Sequence, residues 1–313
     1  MVDMEFIHKS IDDAILKCKP KFESMHTPKQ IARFFNLDYE GIVNADDVDD
    51  EEDIHYLGGD FHYFKDKNND ECRIYVPDRL FDMKTGGISD GWYEEEYLEN
   101  QDYYKDMSEE EFNELMNDTH YPLKELVKDY MDLPSHIKES IAQIIVNPKK
   151  RNDSVAGTMN IWGDGKGTIN LYYEYLGGRT RNTFYHEVGH SFSHKVGYDA
   201  KETYDWDYSH TYLADSKDYK EGRRKDRKLN GDFYATEYGQ RSKDKSEEQA
   251  DVTMAMLLKA TSKNDPKYNK RVIHLPKYME INGDYTDIIS VDDFLERYPN
   301  RVGALNKYMR LDL

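Results

Sequence analysis

This sequence contains few cysteines and no long hydrophobic run. Two cysteines, Cys18 and Cys72, in 313 residues cannot form a disulfide framework. No run of 18 apolar residues occurs, so no membrane-spanning helix and no membrane partner are expected. Residues 1–19 are charged throughout and lack the apolar segment of a secretory signal. These absences predict a cytoplasmic protein with reduced thiols, or one delivered by a non-classical route.

Positive charge is also deficient, and the deficit lies in one part of the chain. The net charge is −19, and residues 1–128 alone contain 33 acidic and 14 basic side chains, so residues 129–313 sum to zero. Such an acidic surface repels phosphate backbones, which predicts that nucleic acid is not a partner. Two interpretations stay open for the acidic surplus: a solvated face, or a docking surface for a basic protein.

The change in composition near residue 128 predicts two domains. Residues 1–128 are expected to form an acidic α/β domain of unknown role. In it, "TPKQIARFF" predicts a helix with Thr27 as N-cap and Gln30 completing a capping box. The stretch "FHYFKDKNNDECRIYVP", residues 61–77, predicts a β-hairpin.

Residues 129–313 are expected to form an α+β domain with a small sheet. Three strand-like runs occupy 144–147, 157–162 and 168–175. The last two are joined by "GDGKG", whose glycines suit a hairpin turn. We expect the run at 168–175 to be an exposed edge strand that can bind an extended peptide.

The stretch "RNTFYHEVGHSFSHKVG", residues 181–197, predicts an amphipathic helix. Asn182 or Thr183 can cap its start, and Gly197 can end it in the left-handed conformation. Apolar side chains recur at every fourth position and form one buried stripe. They are Phe184, Val188, Phe192 and Val196.

This helix contains an HExxH motif that predicts a metal site. His186 and His190 lie one turn apart, so both imidazoles can direct a nitrogen at one ion, as zinc requires. Glu187 is turned about 100° away and can reach a water on the metal without being a ligand. Gly189 has no side chain, so a strand or a substrate can come close there. One Zn²⁺ per chain is expected.

A third ligand must come from elsewhere, and one known extension of the motif is excluded. The pattern HExxHxxGxxH would need a glycine at Ser193 and a histidine at Val196. His194 lies a further turn along the helix, too far from His186 to share the ion. Four residues soon after the helix are minor candidates: Asp199, Asp205, Asp207 and His210.

The stronger candidate lies on a second helix, "SEEQADVTMAMLLKA". Ser246 and Gln249 can form a capping box, which would start the helix at Glu247. Glu247 and Asp251 then lie one turn apart, so one carboxylate can bind the metal and the other can orient a ligand histidine. An acidic first turn that only complements the helix dipole is the alternative interpretation.

The motifs "TFYHEVGHSF", "TEYGQ" and "EEQAD" occur in an order that resembles gluzincin-type zinc metallopeptidases. The resemblance is to the group that includes the anthrax lethal factor catalytic domain and the Pro-Pro endopeptidases. It implies a zincin-like α+β fold with a small mixed sheet, an active-site helix and a glutamate helix. It further implies His186, His190 and Glu247 as zinc ligands, Glu187 as the base and Tyr238 as the transition-state donor.

The resemblance covers about 130 residues, and the chain departs from the family pattern at two points. Asp251 would stand for the final acidic residue of the glutamate helix, whereas Glu248 and Gln249 replace a more apolar pair. The spacing between the tyrosine and glutamate motifs is longer than in the family. The choices between Glu247 and Glu248 and between Tyr238 and Tyr234 therefore stay open, and residues 1–128 resemble no family.

The function expected from these patterns is a zinc-dependent metalloendopeptidase in which Glu187 activates a zinc-bound water for peptide-bond hydrolysis. Its partner would be a protein or peptide substrate. A non-catalytic protein that keeps zinc for stability, such as a viral head or tail component, is the main alternative. A zinc amidase acting on cell-wall peptides is a weaker one, because no export signal was found.

Overall fold

The computed structural model describes residues 27–48, 59–68, 72–78, 123–147, 156–161, 164–172, 180–201, 211–231, 233–262, 272–274, 280–281, 284–285 and 288–313. These residues build a mixed α+β structure around a six-stranded sheet, which confirms the predicted α+β class. Each helix in the described part of the chain is too short or too polar to traverse a lipid bilayer.

The central sheet is mixed, and two of its strands come from the hairpin predicted at 61–77. The strands are β1 (Leu37–Asn44), β2 (Asp60–Asp66), β3 (Arg73–Pro77), β4 (Ile141–Asn147), β5 (Gly157–Ile161) and β6 (Gly167–Tyr172). Their order is β1-β2-β3-β4-β6-β5. Strands β3, β4 and β6 run parallel, whereas β1 with β2, β2 with β3, and β5 with β6 are antiparallel.

The helices lie before, between and after the strands. They are α1 (Pro28–Phe35), α2 (Leu123–Asp132), α3 (Ser135–Lys138), α4 (Thr180–Lys201), α5 (Tyr212–Asp215), α6 (Lys217–Asn230), α7 (Glu237–Ser242), α8 (Lys245–Ser262), α9 (Val291–Arg297) and α10 (Pro299–Met309). The capping box predicted for α1 is confirmed. The Gln30 N–H donates to Thr27 Oγ1, and the Thr27 N–H donates to Gln30 Oε1.

Four short strands precede α9. They are β7 (Val272–His274), β8 (Glu280–Ile281), β9 (Asp284–Tyr285) and β10 (Ile288–Ser290). Strand β7 pairs with β10 and β8 pairs with β9, both antiparallel. These two ladders are separate from the central sheet.

The edge strand next to α4 is β5, so the prediction that residues 168–175 form an exposed edge was wrong. Strand β6 lies between β4 and β5, and all six of its residues are buried. The hairpin returns β6 into parallel pairing with β4, which leaves β5 outside. The side chains of β5 are half-buried or exposed, as expected for an edge.

One hydrophobic core joins the sheet to helices from both ends of the chain. Ile74, Ile144 and Ile169 form a fully buried row across β3, β4 and β6. Phe184 and Val188 of α4 are fully buried in the same core, which confirms the predicted apolar stripe. Burying a side chain of this size contributes about 1.5–3 kcal/mol, so the stripe fixes which face of α4 turns away from the core.

The composition boundary near residue 128 does not coincide with a break in the structure. It falls inside α2, and strands from both sides of it pair in the central sheet, where Ile74 of β3 lies opposite Ile144 of β4. The division into domains 1–128 and 129–313 stays a prediction, because residues 1–26 and 79–122 lie outside the described part of the chain.

Candidate metal centre

Helix α4 presents the two motif histidines side by side at one end of the core. Because the buried stripe faces the sheet, His186 and His190 lie on a neighbouring stripe, one turn apart. Their Nε2 atoms are 3.1 Å apart, and their rings meet edge to face with centroids separated by 4.8 Å. Both side chains are buried.

The ends of α4 differ from the prediction. The helix begins at Thr180, before Asn182 and Thr183, and it continues through Gly197 to Lys201. Its last turn packs on the turn between β5 and β6, where a Cβ on Gly165 would lie 2.7 Å from the Tyr198 ring. Tertiary packing therefore extends the helix past the glycine that was expected to end it.

Helix α8 supplies the third ligand atom of the candidate centre. Glu247 Oε2 lies 3.0 Å from His186 Nε2 and 3.3 Å from His190 Nε2. The helices come this close because of Gly189, where a Cβ would lie 3.1 Å from Ala250 Cα and from the Thr253 side chain. A helix, and not a strand or substrate, thus uses the space beside this glycine.

The three atoms have a spacing suited to a tetrahedral ion. Ligand atoms bound at 2.0–2.1 Å in a tetrahedron are separated by about 3.3 Å. The three observed separations are 3.0, 3.1 and 3.3 Å. Two imidazole nitrogens at this separation would repel each other with both lone pairs free, so the position between them suits a shared proton or a metal ion. The group of His186, His190 and Glu247 could hold a metal ion.

Asp251, one turn after Glu247, fixes the orientation of the first imidazole. His186 Nδ1 donates to Asp251 Oδ1 at 2.8 Å, which leaves Nε2 as the nitrogen that faces the other ligand atoms. The second carboxylate oxygen accepts a hydrogen bond from Thr236 Oγ1 at 2.5 Å. Thr236 is also the N-cap of α7, where its side chain accepts from the Gly239 N–H.

The charges of the centre are strongly coupled. Burial would lower the pKa of His186, but the carboxylates of Asp251, Glu247 and Glu187 together outweigh burial and raise this pKa well above its ordinary value. Burial would raise the pKa of Glu247, but hydrogen bonds from the two imidazoles hold it below the usual range. Without a metal, the His186 imidazole would thus tend to carry a positive charge opposite the carboxylates of Asp251 and Glu247.

Glu187 lies beside the group of His186, His190 and Glu247 and against the edge strand. Its side chain is 6% exposed, and burial raises the pKa of its carboxyl group. A Cβ built on Gly157 of β5 would lie 3.1 Å from Glu187 Oε1 and 2.5 Å from Thr183 Cγ2. The edge strand therefore passes the carboxylate as closely as glycine permits.

Of the two candidate tyrosines, the structure brings Tyr238 to the centre. Its ring centroid is 5.7 Å from that of His186, and its side chain is partly open to solvent. Burial and the nearby carboxylates, Glu247 first among them, raise the pKa of Tyr238 to about 12. Tyr234 instead packs on Phe233 and lies under the guanidinium of Arg223.

The other candidate ligands are placed away from the centre or lie outside the described residues. Glu248 is fully buried and binds Arg301 and Arg223. Asp199 is exposed and pairs with Lys195. Neither these two nor the buried His194 belongs to the group that could hold a metal. Asp205, Asp207 and His210 lie outside the described residues.

The start of α8 also differs from the prediction. The helix begins at Lys245, because Asp244 forms the local hydrogen bonds there: its carboxylate accepts from the N–H and the hydroxyl of Ser246. Gln249 does not close a capping box, since its side chain is buried and donates to Thr253 Oγ1. This shift does not change the face of α8 on which Glu247 lies, which is the face beside His186 and His190.

Two residues of the site were missed by sequence reasoning. Thr236 binds the Asp251 carboxylate, and Gly157 provides the close approach of β5 to Glu187. A threonine before a short helix is a detectable capping signal, and a glycine that opens a strand indicates close backbone approach. Neither signal identifies the partner, which is distant in the sequence.

No protein-family model, no curated protein and no solved structure matches the chain. The resemblance in motif order to gluzincin-type peptidases therefore stays a prediction. The assignments at the centre rest on the geometry of the side chains themselves.

Proposed function

We propose that the chain is a zinc-dependent metalloendopeptidase with a zincin-like fold of the gluzincin type. The observation that carries the proposal is the convergence of His186, His190 and Glu247 with Glu187 buried beside them. Two imidazoles and one carboxylate form a donor set that zinc takes in catalytic sites, where three protein ligands leave a fourth position open. One ion per chain follows from the single group of this kind among the described residues.

The residues around the centre can supply each proton transfer that hydrolysis needs. A bound zinc ion would polarise the scissile carbonyl and lower the pKa of a water in the open position. Glu187 would accept a proton from the attacking water and deliver it to the leaving amine. Its buried setting raises the pKa of the carboxyl group, which makes Glu187 a stronger proton acceptor than a solvated glutamate.

Tyr238 would stabilise the charge that develops on the carbonyl oxygen. Its raised pKa keeps the phenol protonated at neutral pH, so the hydroxyl can donate a hydrogen bond. Donors of this kind are typically worth about 3–4 kcal/mol of transition-state stabilisation. Asp251 and Thr236 would act through His186, by holding the imidazole in one tautomer and orientation.

Strand β5 would hold the substrate. It lies at the edge of the central sheet and passes Glu187 at Gly157. An extended peptide can add to such an edge through main-chain hydrogen bonds, which places its carbonyl groups along the strand. This geometry favours a protein or peptide substrate over a small molecule.

The proposal is tested by replacing the base while keeping the ligands. Glu187→Gln should retain one zinc per chain by elemental analysis and lose about 10²–10⁴-fold in kcat/KM for peptide cleavage. Glu296→Gln, at an exposed position on α9, is the matched control and should match the wild type in both measurements. Undiminished cleavage by Glu187→Gln would contradict the proposed mechanism.

Three results together would support the non-catalytic alternative. The wild-type chain would then contain zinc, cleave nothing in a broad peptide library, and show a large fall in Tm on chelation. That outcome would make the centre a stabilising zinc site in a structural or interaction protein.

A further inference from the structure

A second buried charge cluster lies on the other side of the first turn of α8, and the proposed reaction does not use it. Glu248 is fully buried, and its carboxylate accepts from Arg223 Nε at 2.8 Å, Arg301 Nε at 3.0 Å and Tyr219 Oη at 3.2 Å. It also accepts from the backbone N–H of Ala235 at 3.2 Å. One carboxylate thus joins three elements of the fold to the chain just before α7.

Arg301 is the residue that brings the C-terminal helix into this cluster. It comes from α10, and its side chain has no exposed surface. Besides Glu248, it donates from Nη2 to the Phe233 carbonyl at 3.1 Å. Its Nη1 lies 3.6 Å from Asp226, whose carboxylate also accepts the Arg301 backbone N–H.

A stabilising role alone gives little reason for such a cluster. Buried ion pairs are often no better for stability than apolar residues of similar volume, because the desolvation of both charges offsets their attraction. What the cluster does offer is directional contact, since a guanidinium binds two acceptors in a fixed plane. Here Arg301 binds Glu248 of α8 and the Phe233 carbonyl together.

The backbone that the cluster binds leads directly into the candidate centre. Phe233 and Ala235 are held on the Glu248 side. The next residue, Thr236, is held by Asp251 on the metal side. Tyr238, whose ring lies next to His186, follows two residues later. The segment is therefore fixed between the carboxylates of Glu248 and Asp251, just before Tyr238.

We propose that Arg301 and Glu248 are positioning residues that hold the 233–236 backbone on α8 and so fix the Tyr238 ring beside His186. This inference rests on the proposed function and adds the C-terminal helix α10 to the parts of the fold on which the reaction depends. Neither residue touches the substrate, and both act through Tyr238.

The test is a double-mutant cycle. Arg301→Lys keeps the charge but cannot bind two acceptors in one plane, so kcat should fall about 10- to 100-fold while KM stays within about twofold. Tyr238→Phe should lower kcat by a similar or larger factor. If Arg301 acts through Tyr238, the double variant should lie within about twofold of Tyr238→Phe alone. Arg223→Lys replaces Arg301→Lys in the same cycle if the latter does not fold.

A second measurement does not depend on activity. Amide hydrogen exchange in the peptide covering 233–238 should become faster in Arg301→Lys, while zinc content and exchange in α4 stay unchanged. Arg224→Lys, the same substitution at an exposed position of α6, should change neither exchange nor kcat. If the wild type cleaves no peptide, the proposed function fails, and exchange alone decides the positioning role. Unchanged exchange at 233–238, or a kcat loss that multiplies with that of Tyr238→Phe, would overturn the inference.

Discussion

The carboxylates on the two sides of the first turn of α8 have different partners: arginines on one side and histidines on the other. Glu247 and Glu248 are neighbours in the chain, so their side chains point about 100° apart around the helix. Glu248 has no exposed surface and forms ion pairs with Arg301 and Arg223. Glu247 keeps 24% of its side chain exposed and faces the imidazoles of His186 and His190.

The difference shows which side can accept an added cation. Around Glu248, two carboxylates, its own and that of Asp226, are balanced by two guanidinium groups. Around Glu247, three carboxylates lie close together, those of Glu187, Glu247 and Asp251. None of the three pairs with a lysine or arginine among the described residues. The charges around Glu248 are balanced by arginines of the protein. The carboxylates around Glu247 are balanced only when protons or a metal ion add positive charge.

The largest expected effects come from making the same substitution at Glu247 and at Glu248. Glu247→Gln should weaken zinc binding at least about 100-fold, because zinc sites are worth about 10–16 kcal/mol and this variant loses one of three ligands. Glu248→Gln should keep zinc but destabilise the metal-free protein by about 3–5 kcal/mol, since Arg301 loses a buried counter-charge. Chelator competition measures the first effect, and urea unfolding measures the second.

The unfolding measurement is made in excess chelator for both variants and for the wild type, which is the control. Bound metal then contributes to the stability of none of the three proteins. If Glu248→Gln lost zinc as strongly as Glu247→Gln, the assignment of Glu247 as the third ligand would be wrong. If both variants unfolded at the same urea concentration, the charge contrast between the two sides would be refuted.

A smaller effect is expected from the hydrogen bond between Asp251 and His186. Asp251→Asn keeps the shape of the side chain but weakens the bond to His186 Nδ1, so zinc affinity should fall about 10- to 100-fold. Asp199→Asn, at an exposed position of α4, is the matched control. Chelator competition again gives the measurement. Equal zinc affinity in the two variants would show that Asp251 does not orient the ligand.

The smallest effects concern two glycines. Gly157→Ala should cost about 1–3 kcal/mol, because its Cβ would lie 2.5 Å from Thr183 Cγ2 and would also press on Glu187. Gly303→Ala should stabilise by about 0.5–1 kcal/mol, since Gly303 lies within α10 and a Cβ there would meet no atom within 4 Å. Thermal unfolding of the two variants should therefore shift in opposite directions. A neutral Gly157→Ala would show that β5 can move away from α4.

Local patterns predicted most of the elements that build the site. The apolar stripe of α4, the strands around 144–147, 157–162 and 168–175, and the hairpin at 61–77 are present. These features arise from side-chain periodicity and turn chemistry within short windows, which tertiary contacts rarely reverse. The errors lie at element ends, such as the start of α8, and in the order of strands.

The edge strand shows why the order of strands was missed. Both β5 and β6 contain strand-forming residues, and the sequence of neither segment predicts which of the two pairs with β4. Burial of β6 on both faces is a property of the assembled sheet. The close approach of α8 to Gly189 likewise depends on packing between helices distant in sequence.

Local sequence pattern was enough to predict the HExxH helix and the proximity of His186 to His190, because a spacing of four residues places side chains on one face of any α-helix. It also favoured one short acidic turn as the source of the third ligand over the minor candidates Asp199, Asp205, Asp207 and His210. The packing of the helices places Glu247, and not Glu248, beside the two imidazoles. This placement depends on which side of α8 meets the guanidinium of Arg301, a residue 53 positions away from Glu248 in the chain. Helical periodicity is local and can be read from the sequence, whereas the partner of a buried charge is set by how distant segments pack.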